Sequence, residues 1–207
     1  MKQQQLLIAT TNLAKLEEWK RFLSELPVEL VGLTDVGIDE IVEEVGATFQ
    51  ENARLKATGY ARLSGLLTLG DDGGFEVDFL NGAPGVRSRR LFGGKDATDE
   101  ELIAFVLEKL AGVPPKERGA RLRVVTAVAA PDGSVIYEKD AAIQGYIAEA
   151  ASQVRSVGYS YRSLLFLPQF GKMFSELNEE EHEQVNHRRK IAPEIARAVL
   201  SYLGDYS

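Results

Sequence analysis

The chain of 207 residues carries 24 basic and 31 acidic side chains, and its net charge of −7 argues against a broad basic face for nucleic acid. With 44% apolar and 27% charged residues it has an ordinary globular composition, and no run approaches the roughly 18 apolar residues that span a membrane. Cysteine is absent and only His182 and His187 supply imidazole, so disulfides, thiolate catalysis and Cys- or multi-His-ligated zinc are excluded and any metal must be held by oxygen. The opening MKQQQLLIATTN has too short an apolar run for a signal peptide, which places the chain in the cytoplasm as an expectation.

In chain order, residues 4–9 read as a short apolar strand that turns polar at Thr10, Thr11 and Asn12. Leu16, Trp19, Phe22, Leu23 and Leu26 then recur at helical spacing. Thr48 and Glu51 have capping-box spacing, and Phe49, Ala53, Ala57, Tyr60 and Ala61 form an apolar stripe ending at Gly65, which predicts a second helix. Residues 66–69 read as a buried strand that ends in Asp71, Asp72, Gly73 and Gly74, after which Phe75, Val77 and Phe79 alternate with Glu76 and Asp78. NGAPG is a tight turn leading to Arg87, Arg89 and Arg90. Thr98 and Glu101 again have capping-box spacing, Leu102, Ile103, Val106, Leu107 and Leu110 follow as a third amphipathic helix, and Pro114 and Pro115 stop it. Residues 121–130 and 134–139 read as strands joined by the turn Pro131, Asp132, Gly133, with 141–149 as a further strand. GYSYRSLLFLP precedes a polar helix from about Asn178 and an apolar helix around Ile195 to Leu203. Without repeats or linkers, this mixed order predicts one α/β domain over residues 1–207 with a central, partly antiparallel sheet and a second lobe at roughly 115–165.

Several groups could carry chemistry. Thr10, Thr11, Asn12 and Lys15 lie between strand and helix, where backbone N–H groups and a lysine can bind phosphate, although Asn12 alone is simply a good helix cap. Glu43, Glu44, Asp71 and Asp72 are hard oxygen donors of the kind Mg²⁺ prefers; the alternative for DDGG is a solvated turn. Asn52 and Lys56 share the apolar side of their helix, where the lysine either binds an anion or snorkels outward. His187 with Arg188 and Arg189 offers donors for a base edge or a phosphate, or else is surface charge.

Taken in order, these pieces resemble the inosine triphosphate pyrophosphatase family, house-cleaning enzymes that remove deaminated purine nucleotides such as ITP and XTP. IATTNLAKLEEW resembles the family's T-G-N-x-x-K-x-x-E opening, EEVGATFQENARLKA its E-x-G-x-T-F-x-E-N-A-x-x-K-A helix, and GDDGGFEVDFLNGAPGVRSRR its D-D-S-G-L-x-V-x-x-L-x-G-x-P-G-x-x-S-x-R stretch. GYSYRS echoes the family's G-F-G-Y-D-P, and Asn186, His187 and Arg188 its terminal S-H-R. The resemblance implies an elongated central mixed sheet flanked by helices, two lobes with the active-site cleft between them, and a homodimer. It implies that Glu43 or Glu44 with Asp72 holds Mg²⁺, that Asp72 orients or deprotonates water for attack on the α-phosphorus, and that Thr10, Thr11, Asn12, Lys15, Asn52 and Lys56 serve the phosphates. On the same basis Tyr159 stacks on the purine, His187 and Arg188 bind its edge, and Gly73, Arg90, Tyr161, Arg162 and His182 stand at further substrate-facing positions. The chain departs from the family at Thr11 for Gly, Gly73 for Ser, Arg162 for Asp and His182 for Lys. The implied activity is Mg²⁺-dependent hydrolysis of ITP, dITP and XTP to the monophosphate and pyrophosphate, without nucleic-acid or membrane partners. The alternatives are the same chemistry on another nucleotide, or a nucleotide-binding regulator without turnover.

Overall fold

The computed structural model of the chain describes residues 4–88 and 97–205. Among the described residues seven strands form one open mixed sheet: β1 (Gln5–Ala9), β2 (Glu29–Gly32), β3 (Leu67–Val77), β4 (Gly119–Ala129), β5 (Val135–Ile147), β6 (Leu165–Leu167) and β7 (Lys172–Met173). Their order is β2-β1-β3-β4-β5-β6-β7, with β1 parallel to both β2 and β3, and β6 antiparallel to both β5 and β7. The flanking helices are α1 (Leu13–Phe22), α2 (Phe49–Ser64), α3 (Asp99–Lys109), α4 (Glu179–Val185) and α5 (His187–Asp205). Among the described residues no helix is long and apolar enough to cross a membrane.

Local chemistry fixes the helix ends. Thr48 and Thr98 cap α2 and α3 in reciprocal boxes with Glu51 and Glu101, as their spacing predicts, and Asn178 does the same for α4 with Glu181. Gly65 closes α2 in the left-handed conformation, φ 68°, which a glycine adopts without steric cost. Pro193 lies inside α5 and does not end it.

The chain divides into two compact units. The first contains residues through Asp72, Val124–Ala141 and the residues from His187 onward. Its β1 is apolar at every core position because both faces are covered. Leu6 and Ile8 pack with Leu16, Trp19, Ile195 and Val199 of α1 and α5, whereas Leu7 and Ala9 pack with Tyr60 of α2. The second unit contains Gly73–Arg123 and Ala142–Asn186, with a core of Phe75, Val77, Leu102, Val106, Ile147, Tyr161, Leu164 and Phe174.

Two expectations are corrected. β3 does not end at the acidic pair but runs unbroken through Asp71, Asp72, Gly73 and Gly74. Both aspartates are buried rather than solvated, because cations on the neighbouring helices supply what water would supply in a turn. Residues 141–147 are not a separate strand but the second half of β5, whose polar middle is held by ion pairs of Glu138 with Arg54 and of Lys139 with Glu194.

Candidate active site

Successive strand residues face opposite sides of a sheet, so Asp71 and Asp72 enter two different environments. Asp71 points, like Leu67 and Leu69, toward α1 and α5. There Lys15 Nζ donates to Oδ1 at 3.0 Å, and Trp19 Nε1 and Arg188 Nε donate to Oδ2 at 3.2 and 2.7 Å. Arg188 Nη1 continues the network to Glu18 Oε2 at 3.2 Å. Burial pushes the Asp71 carboxyl up, but Arg188, then Lys15 and Lys56, outweigh it and hold the group below the usual carboxylate range. Burial likewise lowers the pKa of Lys15, against the opposing charge of Asp71. Lys15 and Trp19 meet this one carboxylate, and Glu18 meets the Arg188 beside it, because i, i+3 and i+4 share a helix face. That spacing is a sequence signal for Glu18, which stands at the final Glu of the T-G-N-x-x-K-x-x-E pattern, and for Trp19, although neither is among the candidate site residues.

Asp72 points the other way, toward α2. Lys56 Nζ bridges two carboxylates, lying 3.3 Å from Glu44 Oε1 and 3.8 Å from Asp72 Oδ1. Asn52 donates a side-chain hydrogen bond to Asp72 while its Oδ1 accepts from Gly46 N at 2.8 Å. Burial raises the Asp72 pKa, opposed by Lys56 and Lys15 and assisted by Glu44. Lys15 and Lys56 act on both aspartates, so the two sets form one electrostatic cluster.

The irregular segment that carries Glu43 and Glu44 is tied to α2 by Tyr60, whose hydroxyl accepts from Val42 N and donates to Glu40 O, both at 3.2 Å. Gly46 is required where this segment meets the helix, since a Cβ there would lie 2.6 Å from Glu51 Cβ and 2.7 Å from Asn52 Oδ1. Of the two glutamates, Glu44 joins Lys56, whereas Glu43 is exposed and ion-paired to no described residue.

Asn12 caps α1 through Oδ1, which accepts from Ala14 N at 2.9 Å and Lys15 N at 3.3 Å. Thr10 Oγ1 accepts from Asn12 N at 3.2 Å, and Thr11 is exposed. His187 and Arg188 are buried in the first turn of α5, not spread on the surface.

The remaining predicted residues belong to the second unit. Tyr159, Tyr161 and Arg162 lie at a short 3₁₀ turn, Ser160–Ser163, that precedes β6. The guanidinium of Arg162 sits 3.6 Å from the centroid of the Tyr159 ring and 4.8 Å from that of Phe174, and His182 stacks on Phe174 at 5.0 Å. Tyr161 is buried and stacks on Phe75 at 4.8 Å, with its hydroxyl donating to Ser88 O at 2.8 Å, so its ring serves the core. Phe174 is a member of the cation–aromatic stack that the motif reading missed. Gly73 lies in β3, where the strand continues beyond Asp72. Arg90 lies outside the described residues.

Comparison with known proteins identifies the family. Residues 6–197 match the Ham1 family. The dITP/XTP pyrophosphatase of Geobacillus kaustophilus is 39% identical over 92% of this chain and 92% of its own length, and that of Anaeromyxobacter sp. (strain Fw109-5) is 38% identical over 88% and 91%. A HAM1 protein from Coxiella burnetii has a similar structure, with a TM-score of 0.83, 30% identity and coverage of 96% of this chain and 99% of that one. The nucleoside-triphosphatase / dITP/XTP pyrophosphatase of Mycobacterium abscessus superposes with a TM-score of 0.74 at 34% identity, covering 92% and 98%. With the family matched across almost its whole length and relatives well above 30% identity, this chain belongs to the Ham1 family.

Proposed function

We propose that the chain hydrolyses deaminated purine nucleoside triphosphates, ITP, dITP and XTP, to the monophosphate and pyrophosphate. The observation that carries this reading is the buried Asp72 joined through Lys56 to Glu44 and held by Asn52. Relatives that are dITP/XTP pyrophosphatases support it.

The cluster contains three cations, Lys15, Lys56 and Arg188, against four carboxyl groups, Glu18, Glu44, Asp71 and Asp72. Among the described residues that balance favours added positive charge when a triphosphate binds. Among the described residues no three acidic or histidine side chains converge to enclose a metal. Two carboxylates nevertheless suit Mg²⁺, which keeps several waters and draws its other ligands from substrate phosphates. Glu44 and Asp72 are the residues that would hold it. When bound, such an ion neutralises phosphate charge and acidifies an attacking water.

The chain's own groups then have distinct tasks. The Asp72 carboxylate, its proton affinity raised by burial, takes a proton from water as the oxygen bonds to the α-phosphorus and the bond to the bridging oxygen of pyrophosphate breaks. Asn52 and Lys56 fix that carboxylate, and Lys15 and Lys56 meet phosphate charge as it builds. A homodimer of single-domain chains is the proposed assembly.

A pyrophosphate-release screen over ITP, dITP, XTP, ATP, GTP, CTP and UTP, with and without Mg²⁺, tests the reading. Oxo-purine nucleotides should be preferred, and Asp72→Asn should lower kcat by about 100-fold or more while leaving the fold intact. Near-normal turnover in that variant would remove Asp72 from the chemistry. Tight nucleotide binding with no pyrophosphate from any substrate would instead favour a regulator.

A further inference from the structure

We infer that Tyr60 is a positioning residue for the divalent ion: its hydroxyl clasps the segment that carries Glu44 and thereby sets how tightly that ion is held. This rests on the proposed function and on Glu44 and Asp72 as the residues that would hold the ion. Tyr60 is 3% exposed and stands one turn beyond Lys56 on α2, with its ring packed among Leu7, Ala9, Val31 and Leu33. Its hydroxyl uses both of its capacities on one short stretch of chain, accepting from Val42 N and donating to Glu40 O at 3.2 Å each. These bonds serve no regular structure, because residues 38–48 form neither helix nor strand.

Glu44 lies between two anchors. On one side Tyr60 holds Glu40 and Val42, and the Val42 side chain rests on Gly59, where a Cβ would come within 2.9 Å of its Cγ2. On the other side Gly46 N donates to Asn52 Oδ1 at 2.8 Å and Ala47 N to Glu51 Oε2 at 2.6 Å. Between them exposure alternates: residues 41, 43 and 45 are exposed, whereas 42, 44 and 46 are half-covered. The sequence carries no such period, since the apolar Ile41 and Val45 are the outward members, 78% and 74% exposed. The anchors therefore decide that Glu44 rather than Glu43 turns to Lys56, whose Nζ lies 3.3 Å from Glu44 Oε1 and 3.8 Å from Asp72 Oδ1. Without the first anchor this stretch would have to be ordered anew at each binding event, a cost that lowers affinity without altering the chemistry.

The ring of Tyr60 also belongs to the core, so ring and hydroxyl must be separated. Tyr60→Phe keeps the ring and removes only the oxygen. Glu40 is exposed and Val42 half-covered, so water takes up the two backbone groups, and Tm should fall by no more than about 4 °C.

The test is titration with Mn²⁺ alone, a divalent probe followed by electron paramagnetic resonance, on the wild type, Tyr60→Phe and Gly59→Ala. Both variants should bind Mn²⁺ about three- to tenfold more weakly, the worth of a net hydrogen bond. Hydrogen exchange at the Val42 amide should quicken in Tyr60→Phe. Gly59→Ala presses its methyl on Val42 from the helix side, and because alanine favours the helix, its Tm should not fall along with its affinity. In turnover, Tyr60→Phe should raise the Mg²⁺ concentration for half-maximal rate by the same factor while changing kcat at saturating Mg²⁺ less than about twofold. Unchanged Mn²⁺ affinity in a folded Tyr60→Phe, or in Gly59→Ala should Tyr60→Phe not fold, would overturn the inference. A Val42 amide that exchanges no faster, or a wild-type protein that binds no Mn²⁺, would do the same. Since Mn²⁺ binding is read without nucleotide, these outcomes are distinct from failure of the proposed function, in which Mn²⁺ would bind but no nucleotide would release pyrophosphate.

Discussion

Asp71 and Asp72 share a dipeptide, yet their surroundings drive them in opposite directions. Arg188, Lys15 and Lys56 overcome burial at Asp71 and keep it ionised, while at Asp72 burial prevails and its proton affinity rises. Asp71 is thus the structural member of the pair, positioning Lys15 and Arg188. Asp71→Asn would leave Lys15 and Arg188 buried beside a neutral amide, and it should destabilise the fold by about 3–5 kcal/mol in chemical denaturation. The pH dependence has a definite sign. A depressed folded-state pKa contributes stability that is present above the unfolded value, near about 4, and is lost as pH falls toward the folded value. The difference between wild type and variant should accordingly stay flat from about pH 8 to about pH 5 and shrink below about pH 4. A difference that widens on acidification would show that Asp71 is not held ionised by these cations.

At the scale of elements, Gly70 decides how closely α2 approaches the strand that carries both aspartates. A Cβ at this position would stand 2.6 Å from Ala57 N and 2.8 Å from Ala53 O, and helix backbone cannot give way as a side-chain tip can. Gly70→Ala should cost about 1–3 kcal/mol, read as a drop in the denaturation midpoint. Gly32→Ala should cost less, because its new methyl meets the flexible end of Leu16 at 2.9 Å. Equal losses in the two variants would mean that the backbone contact is not what demands glycine at position 70. Helix starts were legible in the sequence because caps are local: Thr48 and Glu51 answer each other within one turn. The unbroken course of β3 was not legible, since the partner that lets Asp71 stay in a strand, Arg188, lies 117 residues further on. The role of Lys56 was visible as an inward-facing cation on α2. Its choice of Glu44 over Glu43 was not, because neighbouring residues in an irregular segment have no period to separate them.

For the whole molecule, the question is which part receives the nucleotide. A cavity of about 540 Å³ in the second unit is large enough for a small ligand, and Pro115, Lys116, Arg118, Tyr146 and Phe166 are among its walls. Size alone would favour it, but its charges do not. Arg118 directs three N–H groups to the carbonyls of Leu110, Ile147 and Ala148, which commits it to holding the chain together and leaves Lys116 as the free cation of the lining. The polar cluster around Lys15 and Lys56 holds more cationic groups, yet its carboxylates outnumber them, so triphosphate binding there should demand a divalent ion. The test is thermal denaturation with a non-hydrolysable ITP analogue. At about 100 times its Kd, a ligand that binds only the folded state adds about 2.7 kcal/mol, which for a chain of this size raises Tm by about 5–10 °C. That shift should appear with Mg²⁺ and nearly vanish in EDTA. Lys56→Ala should lose most of it, while Lys116→Ala should keep it in full. A shift that survives EDTA and Lys56→Ala but disappears in Lys116→Ala would place the nucleotide in the cavity and remove the cluster from substrate binding.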